Sequence, residues 1–119
     1  QRRRARMPDA VYAVELTQAA EDDLEEIHGY IAKVRGADDA DALIDQFLAV
    51  VDTLESFPER GGVPKELEGL GLREFRQVLL RQFRLIYRVI GERVVILLVA
   101  DGRRDMRELL ERRLLGRPH

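Results

Sequence analysis

The side chains in this sequence best suited to chemistry are arginines, and they crowd into its second half. From Arg73 onward there are twelve arginines, no lysine and six acids. The stretch from Asp9 to Glu59 holds fourteen acids against only Lys33 and Arg35. An arginine's planar fork suits phosphate or carboxylate better than a lysine does. In "FRLIYRVI" (83–90) strand alternation places Phe83, Leu85, Tyr87 and Val89 on one face, and Arg84, Ile86, Arg88 and Ile90 on the other. Arg76 shares a face of the preceding strand with Val78 and Leu80. A sheet face carrying Arg84 and Arg88, with Arg76 a further candidate, beside Arg103 and Arg104 of "GRRD" (102–105), would form an electropositive hollow. The alternative is that these arginines neutralise the chain's own acidic helices, with Arg88 merely solvated at a strand end.

Such a hollow would stabilise negative charge but would not move protons. Arginine stays protonated at any ordinary pH, whereas general acid–base work needs a group that exchanges protons near neutrality. His28 falls on the acidic first helix, Tyr87 points away from Arg84, and Tyr12 and Tyr30 belong to the helical half. The chain has no cysteine, and its two histidines, His28 and His119, lie far apart, so neither a disulfide framework nor a metal site is expected. No organic cofactor is implied either. The glycine-rich phosphate loops, the HExxH zinc motif and the GxSxG nucleophile elbow are all missing from the sequence. "GLGLRE" (69–74) precedes a strand and lacks the spacing of a phosphate loop, so it reads as a turn.

The elements that would position these arginines follow from periodicity. "VYAVEL" (11–16) reads as a short strand and Thr17 as a helix N-cap. Ala20, Leu24, Ile27, Ile31 and Val34 form one helical stripe, which Gly36 ends. Asp38 or Asp39 then caps a second helix with the stripe Ala40, Leu43, Phe47, Val50, Leu54 and Phe57, terminated by Pro58. The two should form an antiparallel hairpin joined by about four residues. "PERGGVPKELEGLGL" (58–72) reads as the one long loop. Strands follow over roughly 73–80, 83–90 and 93–100, and the almost continuously apolar "VVILLVA" (94–100) suits a strand covered on both faces or lying mid-sheet. Met106, Leu109, Leu110 and Leu114 give a last helix its packing side, with Gly116 and Pro118 stopping it. Arg107, Arg112 and Arg113 are then solvated or partner-facing. The expected architecture is α+β, in the order β-α-α-β-β-β-α: a helical hairpin on one face of a small, mainly antiparallel sheet, and a short C-terminal helix. The other sheet face should remain as a shallow concave surface.

At 119 residues, 45% hydrophobic and 35% charged, one globular domain over residues 8–119 is expected. Residues 1–7, with four arginines before Met7, read as a basic tail, either disordered or left over from expression. A basic arm for nucleic acid is the sharper alternative. No apolar run is long enough to span a membrane, and a cytoplasmic location is the default.

Taken together, "YAVELTQAAEDDLEEIHGYI", "LESFPERGG", "FRLIYRVIGERVVILLVADGRRD" and "LLERRLL" resemble the RelE/ParE superfamily of bacterial toxins from type II toxin–antitoxin modules, over residues 11–115. The resemblance implies the same fold and a cytoplasmic toxin neutralised by a tightly bound cognate antitoxin. In the RelE-like branch it implies a ribosome-dependent messenger RNA endonuclease. Arg84 matches that branch's strand arginine, Arg104 its late basic residue, and Arg76 falls near its first-strand lysines. Leu110 stands where that branch often has a tyrosine, which removes its usual proton-transfer agent. The ParE-like branch poisons DNA gyrase and commonly carries "GRRD" before a leucine-rich last helix, as here. The low net charge of −2 also fits poorly with a ribosomal RNA binder. The ParE-like reading is therefore favoured, with growth arrest as the outcome and Arg84, Arg103 and Arg104 as target contacts. Whether the chain is an enzyme depends on the branch, and a non-toxic protein-binding module is a further alternative. Leu24, Ile31, Phe47 and Val51 are candidates for the antitoxin groove, and a homodimer through the same apolar helical surfaces is possible.

Overall fold

A computed structural model describes residues 11–115, the side chain of Leu115 excepted. The basic tail expected over residues 1–7 and the helix stop expected at Gly116 and Pro118 lie outside the described residues. The elements run β1 (Ala13–Leu16), α1 (Gln18–Arg35), α2 (Ala37–Ser56), α3 (Lys65–Glu68), β2 (Phe75–Leu80), β3 (Phe83–Ile90), β4 (Arg93–Asp101) and α4 (Met106–Leu115). The sheet order is β1-β4-β3-β2. β1 lies parallel to β4, and the other pairings are antiparallel. The α1–α2 hairpin is therefore the crossover that returns the chain from the parallel edge strand.

Local chemistry explains the hairpin. Thr17 is the N-cap of α1, its Oγ1 accepting from the Ala20 N–H at 3.1 Å. The junction is tighter than the four residues expected. Gly36 alone caps both helices, at φ 102°, a conformation that glycine adopts without steric cost. Asp38 and Asp39 consequently sit inside the first turn of α2, where their charge opposes the helix dipole favourably.

The expected open face of the sheet is not there. One core lies between the hairpin and the sheet, and it includes Leu43, Phe47, Leu54, Leu85, Tyr87, Val94 and Ile96. A second core covers the opposite face, where Ile86, Leu98 and Ala100 pack under Leu67 of α3 and Met106, Leu109 and Leu110 of α4. The long loop thus contains a helical turn, "KELE", that begins directly after Pro64 and inserts Leu67 at 3% exposure. β4 serves both cores by strand alternation, and a register slip between Ile86 and Tyr87 changes which residues face each. Tyr87 pairs with Ile96 and Ile86 with Leu98, leaving Leu97 as the extra residue. This bulge reverses the alternation, so Ile96 and Val99 both face the hairpin while Leu98 and Ala100 face α4.

The segment after α2 is pinned to β2 by a close backbone approach. Gly61 N–H donates to the buried Tyr87 hydroxyl at 3.0 Å, and Gln77 N–H donates to Gly62 C=O at 2.8 Å. A Cβ at Gly61 would stand 2.4 Å from the Gln77 carbonyl oxygen and 2.9 Å from the Tyr87 hydroxyl, whereas one at Gly62 meets open space. Gly61→Ala should therefore lower stability by about 2 kcal/mol, a fall in Tm of roughly 8 °C, while Gly62→Ala stays within about 0.5 kcal/mol. Thermal unfolding of the two variants checks this, and equal Tm values would contradict the close approach.

Candidate functional site

Arg84 projects from β3 onto the face shared with Ile86, as alternation requires, and lies opposite Leu79 of β2. It is not the wall of an open electropositive hollow. Its Nη1 donates to Glu66 Oε2 at 2.9 Å, its Nη2 to Glu66 Oε1 at 2.8 Å, and its Nε to Gln77 Oε1 at 2.7 Å. All three donor nitrogens are thus engaged. The Arg84 side chain is 12% exposed and that of Glu66 18%. The loop after β4 closes over the arginine stem: a Cβ on Gly102 would come within 3.0 Å of Arg84 Cδ, and Gly102 N–H donates to Gln82 C=O at 2.7 Å. The Arg84 hydrogen bonds pull the Glu66 carboxyl down to about 2, outweighing the opposing effect of burial.

The other candidates lie at varying distances from this pair. Arg76 is on the opposite face of the sheet, because its strand neighbours Val78 and Leu80 pack with the hairpin core. Its Nη1 donates to the carbonyls of Gly61, at 2.6 Å, and Glu59, at 3.2 Å. It braces the loop that holds Tyr87 and does not join Arg84. Arg88 shares the Arg84 face, with its guanidinium 5.7 Å from the centre of the Phe75 ring. Arg103 and Arg104 follow Gly102, whose backbone covers the Arg84 stem, but both line a groove on the α1 side of β4 with Tyr30 and Phe83. Arg103 makes a two-pronged pair with Asp101, Nε to Oδ1 at 3.0 Å and Nη2 to Oδ2 at 2.7 Å, yet keeps its side chain 80% exposed. That pair lowers the Asp101 carboxyl and raises the Arg103 guanidinium. Arg104 lines two shallow grooves between β4 and α1, facing Asp23 and Glu26.

On α4, Leu110 is 1% exposed and Met106 and Leu109 are buried, consistent with the packing side expected. Arg113 is neither solvated nor free for a partner. Its Nη1 and Nη2 grip the Asp23 carboxylate, and Nη1 also donates to Leu97 C=O at 2.7 Å. Asp23 in turn accepts from Val99 N–H at 2.9 Å. β1 ends at Leu16, opposite Ile96, so this edge of β4 has no strand partner beyond that point, and the Asp23–Arg113 pair satisfies its backbone groups. Among the antitoxin-groove candidates, Leu24, Ile31 and Val51 are half-buried against the hairpin core. Phe47 is 1% exposed and meets Phe83 edge-to-face at 5.6 Å, so it is core and presents no surface to a partner. The large apolar side chains that the hairpin does expose are Tyr30, Val34 and Leu48.

Sequence reasoning missed Glu66 and Asp23. For Glu66 a signal existed, since "PKELE" starts like a helix and its acid is followed by an apolar residue of burying type. Asp23 had none beyond its place in an acidic helix. Among the described residues no three histidine, cysteine or acidic side chains cluster as metal ligands, and no helix is long and apolar enough to cross a membrane.

A mixed four-stranded sheet with β1 parallel to β4, a hairpin on one face and a terminal helix on the other is the RelE/ParE fold. Residues 14–106 match the sequence profile described as "ParE toxin of type II toxin-antitoxin system, parDE", and the chain belongs to that family. Among solved structures, the chromosomal ParDE toxin–antitoxin system of P. aeruginosa superposes with a TM-score of 0.65 at 21% identity, over 76% of this chain and 96% of that one. The RelBE2 toxin–antitoxin complex of Mycobacterium tuberculosis gives 0.52 at 26% identity, over 77% and 92%. A mutant of the E. coli toxin RelE in the free state gives 0.58 at 13% identity, over 89% and 97%, and shares the fold alone. No curated protein matches by sequence.

Because the folded-state value of Glu66 lies below the usual 4.5, its ion pair stabilises fully above that pH, and the contribution is lost as pH falls towards about 2. Glu66→Gln should cost about 2 kcal/mol at neutral pH. The gap between wild type and variant should then narrow steadily as the medium is acidified below 4.5. Urea unfolding across that range measures it, and a gap independent of pH would assign the acid response elsewhere.

Proposed function

We propose that this chain is the toxin component of a type II toxin–antitoxin module that arrests growth by poisoning DNA gyrase. On this reading it acts in the cytoplasm and is held inactive by a cognate antitoxin. Membership of the ParE toxin family supports the module. The antitoxin is proposed by analogy with the ParDE system and the RelBE2 complex, which are described as toxin–antitoxin assemblies.

The observation that carries the choice of target is the surroundings of Arg84. Its polar neighbours are Gln77 and Glu66, and Glu66 at about 2 is a very weak base at neutral pH. Tyr87 points to the opposite core, and the position of the RelE-like tyrosine is the buried Leu110. Cleaving RNA requires a proton to leave a ribose 2′-hydroxyl, and the groups touching Arg84 are poorly suited to take it. A surface that binds and does not cleave agrees better with inhibition of a protein target. The exposed Arg103, with Arg104 beside it at the start of the last helix, is the proposed contact with gyrase, and Arg84 supports that loop from beneath.

One antitoxin-free preparation should be assayed both for inhibition of gyrase supercoiling with accumulation of cleaved DNA, and for message cleavage on programmed ribosomes. The expected result is stalled gyrase and intact message. Arg103→Ala combined with Arg104→Ala should weaken gyrase inhibition by roughly 10-fold or more, while leaving stability within about 0.5 kcal/mol. Cut message with unaffected gyrase would replace this reading with the RelE-like one.

A further inference from the structure

The Arg84 site already holds a ligand, and that ligand belongs to the chain itself. Glu66 places both carboxylate oxygens on the two terminal nitrogens of Arg84, while Gln77 fixes the guanidinium plane through Nε. The next residue, Leu67, fills an apolar socket among Phe75, Ile86, Leu98 and Leu110. An oxyanion clamp and an aliphatic socket thus stand side by side and are filled by consecutive residues.

The element that fills them is brief, and its anchor on the entry side is the buried Pro64 together with the Gly61–Gly62 pin to β2 and β3. α3 is four residues long, far below the length at which a helix is stable by itself. It is flanked by Gly61 and Gly62 on one side and by Gly69 and Gly71 on the other, the last at φ 77°. Beyond Glu66 and Leu67, its side-chain attachment is a surface pair between Glu68 and Arg73 that are 52% and 65% exposed, and such pairs contribute little. Leu70, just past its end, is 51% exposed. A single turn held by the buried Pro64 at its entry, one ion pair and one leucine, with Gly69 and Gly71 past its end, opens more readily than the strands beneath it.

We infer that α3 is an internal plug in a docking site for another protein, and that the site takes a segment carrying a glutamate or aspartate followed by a bulky aliphatic residue. Such a segment replaces α3 contact for contact: its carboxylate takes the two Arg84 donors and its apolar side chain takes the Leu67 socket. A phosphate would satisfy the guanidinium but would leave the socket open, so the paired chemistry favours an acidic–apolar peptide over a nucleic acid. The inference gives Arg84 a binding role beyond the loop support proposed above, and it does not depend on the target being gyrase. Displacement makes the apparent affinity smaller by the fraction of molecules in which the plug is open, so weakening the plug strengthens the partner.

The probe is a fluorescent peptide of sequence VPKELEGLGL, copied from residues 63–72, titrated by anisotropy into the full chain. Glu66→Ala should bind it at least ~10-fold more tightly than wild type. Glu66→Gln, which preserves the side-chain shape, should do the same to a lesser degree. Binding should vanish in Glu66→Ala combined with Arg84→Ala, and for a peptide with glutamine in place of its first glutamate. Equal binding to wild type and Glu66→Ala, or binding indifferent to Arg84, would overturn the inference. So would a Glu66→Ala protein that takes inorganic phosphate through Arg84 but ignores the peptide. Hydrogen exchange on the wild-type chain tests the same point without any variant. Amides of Leu67 to Leu72 should open far more readily than those of β3, and protection equal to that of β3 would mean the plug does not leave. None of these readouts involves gyrase or ribosomes, so their failure is separable from failure of the proposed target.

Discussion

The fold is organised by the need to cover β4 on both faces. Val94, Ile96 and Val99 cannot face water on one side, nor Leu98 and Ala100 on the other, so the sheet requires two layers of cover. The α1–α2 hairpin supplies one. The other must be assembled from what remains of the chain, a ten-residue terminal helix and a single turn in a loop. Closing that second layer has an electrostatic consequence. It brings the stem of Arg84 under Gly102 and removes most of its guanidinium from water, and a charge so placed needs a partner. Glu66 is that partner, and it arrives on the same turn that delivers Leu67. The ion pair and the apolar plug are one solution to one packing problem.

The same logic accounts for the lopsided charge of the sequence. An acidic first half and an arginine-rich second half are joined by pairs far apart in the chain, Glu15 with Arg93 and Asp23 with Arg113, while Glu66 of the linking loop pairs with Arg84. Of these, the exposed Glu15–Arg93 pair contributes least to stability. The Asp23–Arg113 pair is different in kind. It satisfies Val99 N–H and Leu97 C=O on a strand edge that runs on past the end of β1 at Leu16. Had that edge stayed open, it would present unpaired backbone groups to any passing strand. Neutralisation within the chain therefore absorbs several of the arginines whose abundance suggested an anionic partner. Arg103, 80% exposed, remains largely in solvent even with its own pair.

The elements were legible in the sequence to the extent that they obey a period. The stripes of the hairpin, except Val34 and Phe57 at their exposed ends, the alternation in β3 and the two-sided burial of "VVILLVA" follow from residue types, and so does the opposite facing of Arg84 and Tyr87. What escaped was set by contacts between distant residues. "KELE" is one turn long and shows no period, so its helix became visible only from the socket that receives Leu67. The placement of Arg76 required knowing that Val78 and Leu80 pack on the hairpin and not on α4. Phe47 looked equally suited to groove or core, and only the Phe83 ring across from it decides for core. The single-residue joint at Gly36 was obscured by Asp38 and Asp39, which resemble caps but lie two and three residues past it, inside the first turn.

The chemistry of the site follows from the same internal pairing. A carboxylate is a useful base in a protein when its environment destabilises its charge and raises its pKa towards the working pH. Around Glu66 the environment does the reverse: two charge-assisted bonds from Arg84 hold it ionised down to about 2. An arginine so neutralised also projects little field onto an approaching phosphate, because the opposite charge stands within 3 Å of it. Both halves of the pair are thus turned away from catalysis, the acid by excess stabilisation and the arginine by compensation. What the arrangement retains is shape: a fixed fork, a fixed plane and an adjacent apolar socket. Those are the properties by which one protein surface recognises another.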